Sequence, residues 1–176
     1  MRFRSSPRKL ATEQQLYMSA TRALVRRAHS IYEMREYLER RAEDKEQIST
    51  VIARLREQNY LDDGRYALSY ARQHANNRRQ GRFRIARELR ARGVPDRYID
   101  AALDAVFAET DEAASVRARL KRAFTNLRGP IEQRKIASLY RSLLRAGFSS
   151  DVIRNELRNA TRGGVEAADL PDAESE

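Results

Sequence analysis

The chain has 176 residues, no cysteine, and 35 lysines and arginines against 25 acidic residues, for a formal net charge of +10. The lack of cysteine excludes disulfides and thiolate metal sites, and the basic surplus favours nucleic acid, an acidic protein or an anionic membrane as partner. The start, MRFRSSPRKLATEQQ, lacks a signal-peptide core, and no uncharged stretch reaches the roughly 20 apolar residues of a membrane helix, so we expect a soluble, cytoplasmic protein. Among the three partner classes, we do not expect a membrane.

Apolar residues recur at spacings of three and four, which is the period of an amphipathic helix, and no stretch alternates long enough for a convincing strand. Five glycines punctuate this pattern where helices are expected to end: Gly64, Gly81, Gly93, Gly129 and Gly147. We therefore predict an all-α protein of about nine short helices.

Several start signals follow these breaks. Ser30 with Glu33 has the spacing of a capping box. Pro95 and Pro130 suit the first turn of a helix. Ser149 or Ser150 is expected to cap a further helix.

The segment NYLDDGRYA contains the best candidate pair of carboxylates, Asp62 and Asp63. Such a pair could bind a divalent metal, but no further clustered ligands accompany it. We favour a structural role, in which Tyr60 and Leu61 anchor the chain and an aspartate caps a helix that begins near Gly64.

Arginine dominates the stretch RRQGRFRIARELRARG, in which seven of sixteen residues are arginine and one is acidic. On a helix, with about 100° between successive residues, Ile85, Ala86 and Leu89 share one face. The opposite face carries Arg84, Arg87 and Arg90.

This stripe has two interpretations, a solvated helix face or a surface for a polyanion. Exposed helix faces usually mix charges, whereas this one has almost no acid to pair with. We therefore favour a partner that neutralises the arginines. Arg22, Arg26 and Arg27 form a smaller basic group, and a further one runs from Arg117 to Lys135. The candidate partner-binding residues are Arg26, Arg27, Arg78, Arg79, Arg84, Arg87, Arg90, Arg119, Lys121, Arg122, Arg128, Arg134 and Lys135.

Whether these groups share one face is left open. Tyr66, Tyr70 and Tyr98 could stack on bases, although burial at helix contacts is the stronger interpretation for each.

The helical pattern repeats three times, at MREYLERRAEDKEQISTVIARL, RIARELRARGVPDRYIDAALDAV and KIASLYRSLLRAGFSSDVIRNEL. The aligned positions are Met34, Ile85 and Leu139; Leu38, Leu89 and Leu143; Ala42, Gly93 and Gly147; Ile48, Ile99 and Ile153; and Ile52, Leu103 and Leu157. Such units bury little alone, so we predict an elongated, curved solenoid of three tandem three-helix repeats. We place a basic N-terminal extension at 1–19, the repeats at 20–61, 62–109 and 110–160, and an acidic, disordered tail at 161–176.

Motifs for catalysis are missing from the sequence. It contains neither a GxxxxGK[ST] loop nor a GxSxG nucleophile, and His29 and His74, the only histidines, are far apart. We therefore expect no enzyme, no cofactor and no metal site.

Four segments within the repeats, RAHSIYEMREYL, NYLDDGRYA, RRQGRFRIARELRARGV and LLRAGFSSDVI, resemble the RecX family of bacterial regulators of the RecA recombinase. The resemblance spans residues 20–160. Its motif positions are Tyr60, Leu61, Asp62, Asp63, Gly81, Leu89, Gly93 and Gly147. Ala42 stands where the family tends to have glycine, and Tyr66 where it usually has phenylalanine.

From the stacked repeats we expect a monomer. The resemblance implies binding along the groove of the RecA–DNA filament, where we expect single-stranded DNA to be contacted non-specifically. It implies a negative regulator of recombination and DNA repair, which inhibits RecA by blocking filament growth or destabilising the filament. The alternative is a stand-alone DNA-binding regulator, with one three-helix unit acting as a helix-turn-helix reader.

Overall fold

Helix-forming segments cover most of the structure, a computed structural model that describes residues 9–125 and 132–161. Within these ranges the chain forms nine α-helices and no strand beyond an isolated bridge between Leu10 and Ala42. The helices are α1 (Glu13–Arg26), α2 (Ile31–Glu39), α3 (Glu46–Glu57), α4 (Asp63–Asn76), α5 (Arg82–Arg90), α6 (Asp96–Phe107), α7 (Glu112–Thr125), α8 (Gln133–Arg145) and α9 (Ser150–Ala160). The all-α prediction is confirmed.

Some sequence predictions fall outside the described residues, namely those for Arg128, Gly129, Pro130, the acidic end after Thr161 and the first eight residues. Among the helices that are described, none is long and apolar enough to cross a membrane.

The helix starts follow the polar residues that precede them. The Ser30 side chain accepts a hydrogen bond from the Glu33 backbone N–H, and the Glu33 carboxylate accepts one from the Ser30 N–H, so the predicted capping box is present. Ser149 caps α9 by accepting from Val152 N–H. Pro95 directly precedes α6.

The chain divides into two compact units. Unit 1 comprises Met1–Ser69 and Leu89–Ala101, and unit 2 comprises Tyr70–Glu88 and Ala102–Glu176. In unit 1, α1, α2 and α3 pack against one another around a core that includes Leu16, Met34, Leu38, Ile48 and Leu55. In unit 2, α9 packs against α7 and α8 around Val116, Leu120, Tyr140, Ile153 and Leu157.

Burial follows the aligned repeat positions. Among the apolar ones, all are buried except Leu139, which is half-buried between the buried Ile136 and Tyr140. Burying an apolar side chain stabilises the fold by about 1.5–3 kcal/mol, so a shared pattern of buried positions produces a shared helical arrangement. The elongated form and the boundaries of the three repeats remain predictions.

The small residues at the repeated turn behave in two ways. Gly93 and Gly147 have positive φ angles of 69° and 88°, which glycine adopts at little cost. Ala42 has no positive φ. Its turn is instead held by Leu10, whose N–H donates to Arg41 O (2.8 Å) and whose carbonyl accepts from Glu43 N–H (3.0 Å). Alanine is therefore tolerated at this turn, because the backbone of Ala42 does not adopt the positive φ seen at Gly93 and Gly147.

Candidate nucleic-acid interface

The arginine-rich helix α5 has the two faces that its sequence predicts. Ile85, Ala86 and Leu89 are buried. Arg87 and Arg90 are exposed, and Arg84 is partly exposed. Its apolar stripe thus fixes which way the arginines of α5 point.

The prediction that this stripe lacks acidic partners is wrong for two of its three arginines. Arg84 Nε lies 2.8 Å from Glu88 Oε1, one helical turn away. Arg90 Nε lies 2.6 Å from Asp96 Oδ1, at the start of α6. Arg87 forms no ion pair with any residue of the described chain and is the member of the stripe that remains available to a partner.

Glu88 is itself held by several groups of unit 2. The Tyr70 hydroxyl donates to its Oε2 at 2.6 Å, and His74, stacked on Tyr70 with 3.8 Å between ring centres, lies 3.5 Å from the same oxygen. Burial opposes ionisation of Glu88, but the hydrogen bonds from Tyr70 and Arg84 outweigh it and lower its pKa. Arg84 is therefore fixed by a carboxylate that stays charged.

Arg119 on α7 connects that helix to the segment before α5. Its Nη2 donates to Arg79 O at 2.7 Å and to Arg78 O at 3.3 Å, and its guanidinium lies 5.3 Å from the centre of the Phe148 ring. Arg79 has a φ of 50°, which is uncommon for a residue other than glycine. These two bonds hold the segment in that conformation.

Arg119 thus lies near four further arginines of unit 2, namely Arg78, Arg79, Arg84 and Arg122. Burial first, and then the charges of Arg79, Arg84 and Arg122, lower the pKa of Arg119, although arginine remains cationic at neutral pH. We define the unit-2 cluster as Arg78, Arg79, Arg84, Arg119 and Arg122. In the described part of the chain, Arg84 alone among these five has an acidic partner. Such a concentration of positive charge favours an anionic partner.

The remaining basic candidates of the described chain lie on or beside other parts of the helices. Lys121, Arg134 and Lys135 are exposed on α7 and α8. In unit 1 Arg26 is exposed, whereas Arg27 forms an ion pair of 3.1 Å with Glu33. The structure thus brings Arg78, Arg79, Arg84, Arg119 and Arg122 of unit 2 together.

The two aspartates of the YLDDGRYA segment accept hydrogen bonds from backbone N–H groups at helix starts of unit 1. Asp62 Oδ1 accepts from Arg65 N–H at 2.9 Å at the start of α4, so the capping prediction holds. Asp63 is buried, and its Oδ1 accepts from Ile31 N–H at 2.9 Å at the start of α2. Burial raises the pKa of Asp63, and it outweighs the hydrogen bond from Ile31 N–H, which lowers the pKa. No group of three or more His, Asp or Glu side chains that could hold a metal occurs among the described residues.

The tyrosines that the sequence analysis considers differ in their exposure. The prediction that Tyr60 anchors the chain beside Leu61 is wrong, because Tyr60 is 57% exposed and Leu61 alone is buried. Tyr66 is buried, as the sequence predicts, and its hydroxyl donates to Glu33 Oε2 at 3.2 Å. Tyr70 and Tyr98 are partly buried.

The sequence reasoning missed Phe83, which is 62% exposed at the start of α5. The helical period alone predicts this exposure. Phe83 precedes Ile85 by two residues and is turned about 200° from it on a helical wheel. It therefore falls on the same face as Arg87.

The comparisons with known proteins agree with this architecture. A family model described as "RecX, second three-helix domain" matches residues 62–103. The chain is 38% identical over 136 residues to "Regulatory protein RecX" of Halorhodospira halophila, covering 77% of this chain and 82% of that protein. This chain belongs to the RecX family.

Further relatives and solved structures extend over the same region. The chain is 35% identical over 141 residues to the RecX of Leptothrix cholodnii, covering 80% of this chain and 86% of that protein. The crystal structure of RecX from Lactobacillus salivarius superposes with a TM-score of 0.74 at 23% identity, over 84% of this chain and 96% of that one. At that identity the superposition supports the fold alone.

Proposed function

We propose that this RecX-family chain is a monomeric, cytoplasmic negative regulator of RecA that binds the RecA–DNA filament and lowers its recombinase and ATPase activity. In this proposal the chain has no catalytic activity of its own. The observation that carries the proposal is the unit-2 cluster, in which Arg119 supports a segment with two further exposed arginines. We take RecA as the partner because the chain belongs to the RecX family.

The cluster suits DNA phosphates for electrostatic reasons. Arginine presents a fork of N–H donors that matches phosphate oxygens, and each phosphate it neutralises releases condensed counterions. Contacts to phosphates carry no sequence information directly. A regulator that acts on RecA wherever it assembles requires this non-specific mode of binding.

The filament also favours a protein with several dispersed basic groups. Arg26 in unit 1 and Lys121, Arg134 and Lys135 in unit 2 are exposed and unpaired among the described residues. Once one group is bound, the others are presented to the same filament at a high effective concentration, so weak contacts add up. Occupation of the filament would then block its growth or destabilise it.

The test adds the purified protein to RecA filaments formed on single-stranded DNA and measures ATP hydrolysis and co-sedimentation together. We expect hydrolysis to fall at near-stoichiometric concentrations of the protein and the protein alone to hydrolyse no ATP. Co-sedimentation with unchanged hydrolysis would contradict the inhibitory role. Preference for a selected duplex over random duplex in a competition assay would instead support the helix-turn-helix alternative.

A further inference from the structure

Phe83 is an apolar ring between two arginines that each pair with an acidic residue, Arg82 with Asp104 at 2.6 Å and Arg84 with Glu88 at 2.8 Å. It is 62% exposed and lies on the arginine-bearing face of α5, between Arg82 and Arg84 in sequence. Full burial of a phenylalanine side chain is worth about 1.5–3 kcal/mol, and this ring obtains little of that within its own chain. A partner that covers the ring would gain the remainder.

The backbone that carries Phe83 is held firmly. Its N–H donates to Gly147 O at 3.0 Å, and the preceding Gly81 N–H donates to Ala146 O at 2.8 Å. A Cβ at Gly147 would overlap the backbone of Arg84, so the two segments touch with no space between them. The ring is therefore presented from a fixed backbone, which lowers the entropic cost of binding.

The unit-2 cluster lies at the same end of α5. Gly147, which accepts from Phe83, is followed by Phe148, and the Arg119 guanidinium lies over the Phe148 ring. Arg119 in turn holds the carbonyl of Arg79. The backbone of Phe83 is thus joined to Arg119, and through it to the segment of Arg79, by contacts within one unit.

We infer that Phe83 is a stacking platform for one base of single-stranded DNA, with Arg79 and Arg122 binding neighbouring phosphates of the same strand. The inference rests on the proposed function, because it takes DNA as the ligand of the unit-2 cluster. Aromatic stacking beside a basic track is the usual way of binding single strands without sequence preference. A duplex keeps its bases stacked on each other, and an acidic peptide offers no flat base to the ring.

The experiment compares two ligands of equal length and charge, an oligothymidylate and an oligomer of abasic nucleotides. Stacking of one base is expected to make the wild-type protein bind the base-containing strand about tenfold more tightly. Phe83→Ala should lose this preference and bind both oligomers with the affinity that the wild-type protein has for the abasic one. Tyr60→Ala removes an aromatic ring of similar exposure from unit 1 and should leave the preference intact.

A second variant gives a spectroscopic signature. The chain has no tryptophan and eight tyrosines, so Phe83→Trp introduces a single tryptophan, which has a larger stacking surface and can be excited selectively over the tyrosines. Its fluorescence should be quenched by the oligothymidylate and unaffected by the abasic oligomer, and its preference should equal or exceed that of the wild type. Phe83→Ala is expected to fold, since exposed substitutions typically change stability by about 0.5 kcal/mol or less; its thermal melt checks this.

Three results would overturn the inference. In the first, Phe83→Ala retains the full preference for bases. In the second, it weakens binding of both oligomers equally, which would make the ring a support for the cluster. In the third, oligoglutamate displaces the oligothymidylate at comparable concentrations, which would make an acidic protein segment the occupant. Inhibition of RecA by the wild-type protein is measured separately, so failure of stacking is distinguishable from failure of the proposed function.

Discussion

Three arginines of unit 2 can be neutralised without breaking an internal contact. Arg79, Arg87 and Arg122 are exposed, and no acidic side chain of the described residues pairs with them. Arg84 and Arg119 are left unchanged, because Glu88 and the carbonyls of the loop depend on them. The combined change Arg79→Gln, Arg87→Gln and Arg122→Gln, here named the cluster variant, therefore removes charge and should leave the fold in place. It neutralises two arginines of the unit-2 cluster and Arg87, which lies one turn from Arg84 on α5.

The size of the effect follows from counterion release. For single-stranded DNA, the slope of log affinity against log salt concentration is about −0.7 for each phosphate contact. Loss of three contacts should flatten the slope by about 2. Between 50 and 200 mM salt, the wild-type protein should then lose about 20-fold more affinity than the variant.

Fluorescence anisotropy with a labelled oligothymidylate at several salt concentrations measures this slope. The matched control is Arg35→Gln, Lys45→Gln and Arg56→Gln, three exposed basic residues of unit 1 that form no ion pair within the described chain. Both variants have the same net charge, +10 − 3 = +7, so a local effect is separated from that of total charge. Equal slopes for the cluster variant and the wild type would refute the assignment of these arginines to phosphate binding.

Three further predictions concern stability. Leu89→Ala should cost about 2–5 kcal/mol in urea unfolding because Leu89 is fully buried; an unchanged midpoint would show that the site is not packed. Burial opposes ionisation of Glu33, but the hydrogen bonds from Arg27 and Ser30 outweigh it and lower the pKa from 4.5. The stabilisation by the Glu33 carboxylate should therefore be present above pH 4.5 and be lost as the pH falls below that value. Glu33→Gln should make the melting temperature depend less on pH in the acidic range, as measured by thermal melts at several pH values. Gly147→Ala, at a φ of 88° and against Arg84, should destabilise far more than Gly64→Ala, where the added Cβ lies 3.3 Å from Tyr98; equal melting temperatures would contradict this.

The sequence predicts best what depends on helical period. The burial of Ile85, Ala86 and Leu89 follows from their spacing, because a helix places them on one face whatever it packs against. The capping box of Ser30 and Glu33 is also local, since the two residues bond each other across one turn. Both predictions need no knowledge of tertiary contacts.

Ion pairs and hydrogen bonds that cross a turn or join two helices are harder to predict from the sequence. Glu88 was within reach of Arg84 by the i,i+4 rule, but the partner of Arg90 depends on how the chain turns after Gly93 to bring Asp96 back. The contact of Arg119 with the Arg79 carbonyl joins residues forty positions apart. No local pattern encodes that distance, and the unit-2 cluster therefore emerges only from the folded chain.

We propose that this RecX-family chain inhibits RecA through the unit-2 cluster and the nearby Arg87. The most direct test titrates RecA filaments on single-stranded DNA with the wild-type protein, the cluster variant and the unit-1 control, following ATP hydrolysis at fixed salt. We predict that the cluster variant needs at least about tenfold more protein for half-inhibition, in keeping with three lost phosphate contacts, and that the control matches the wild type. Equal inhibition by all three proteins, each shown to be folded, would contradict the claim.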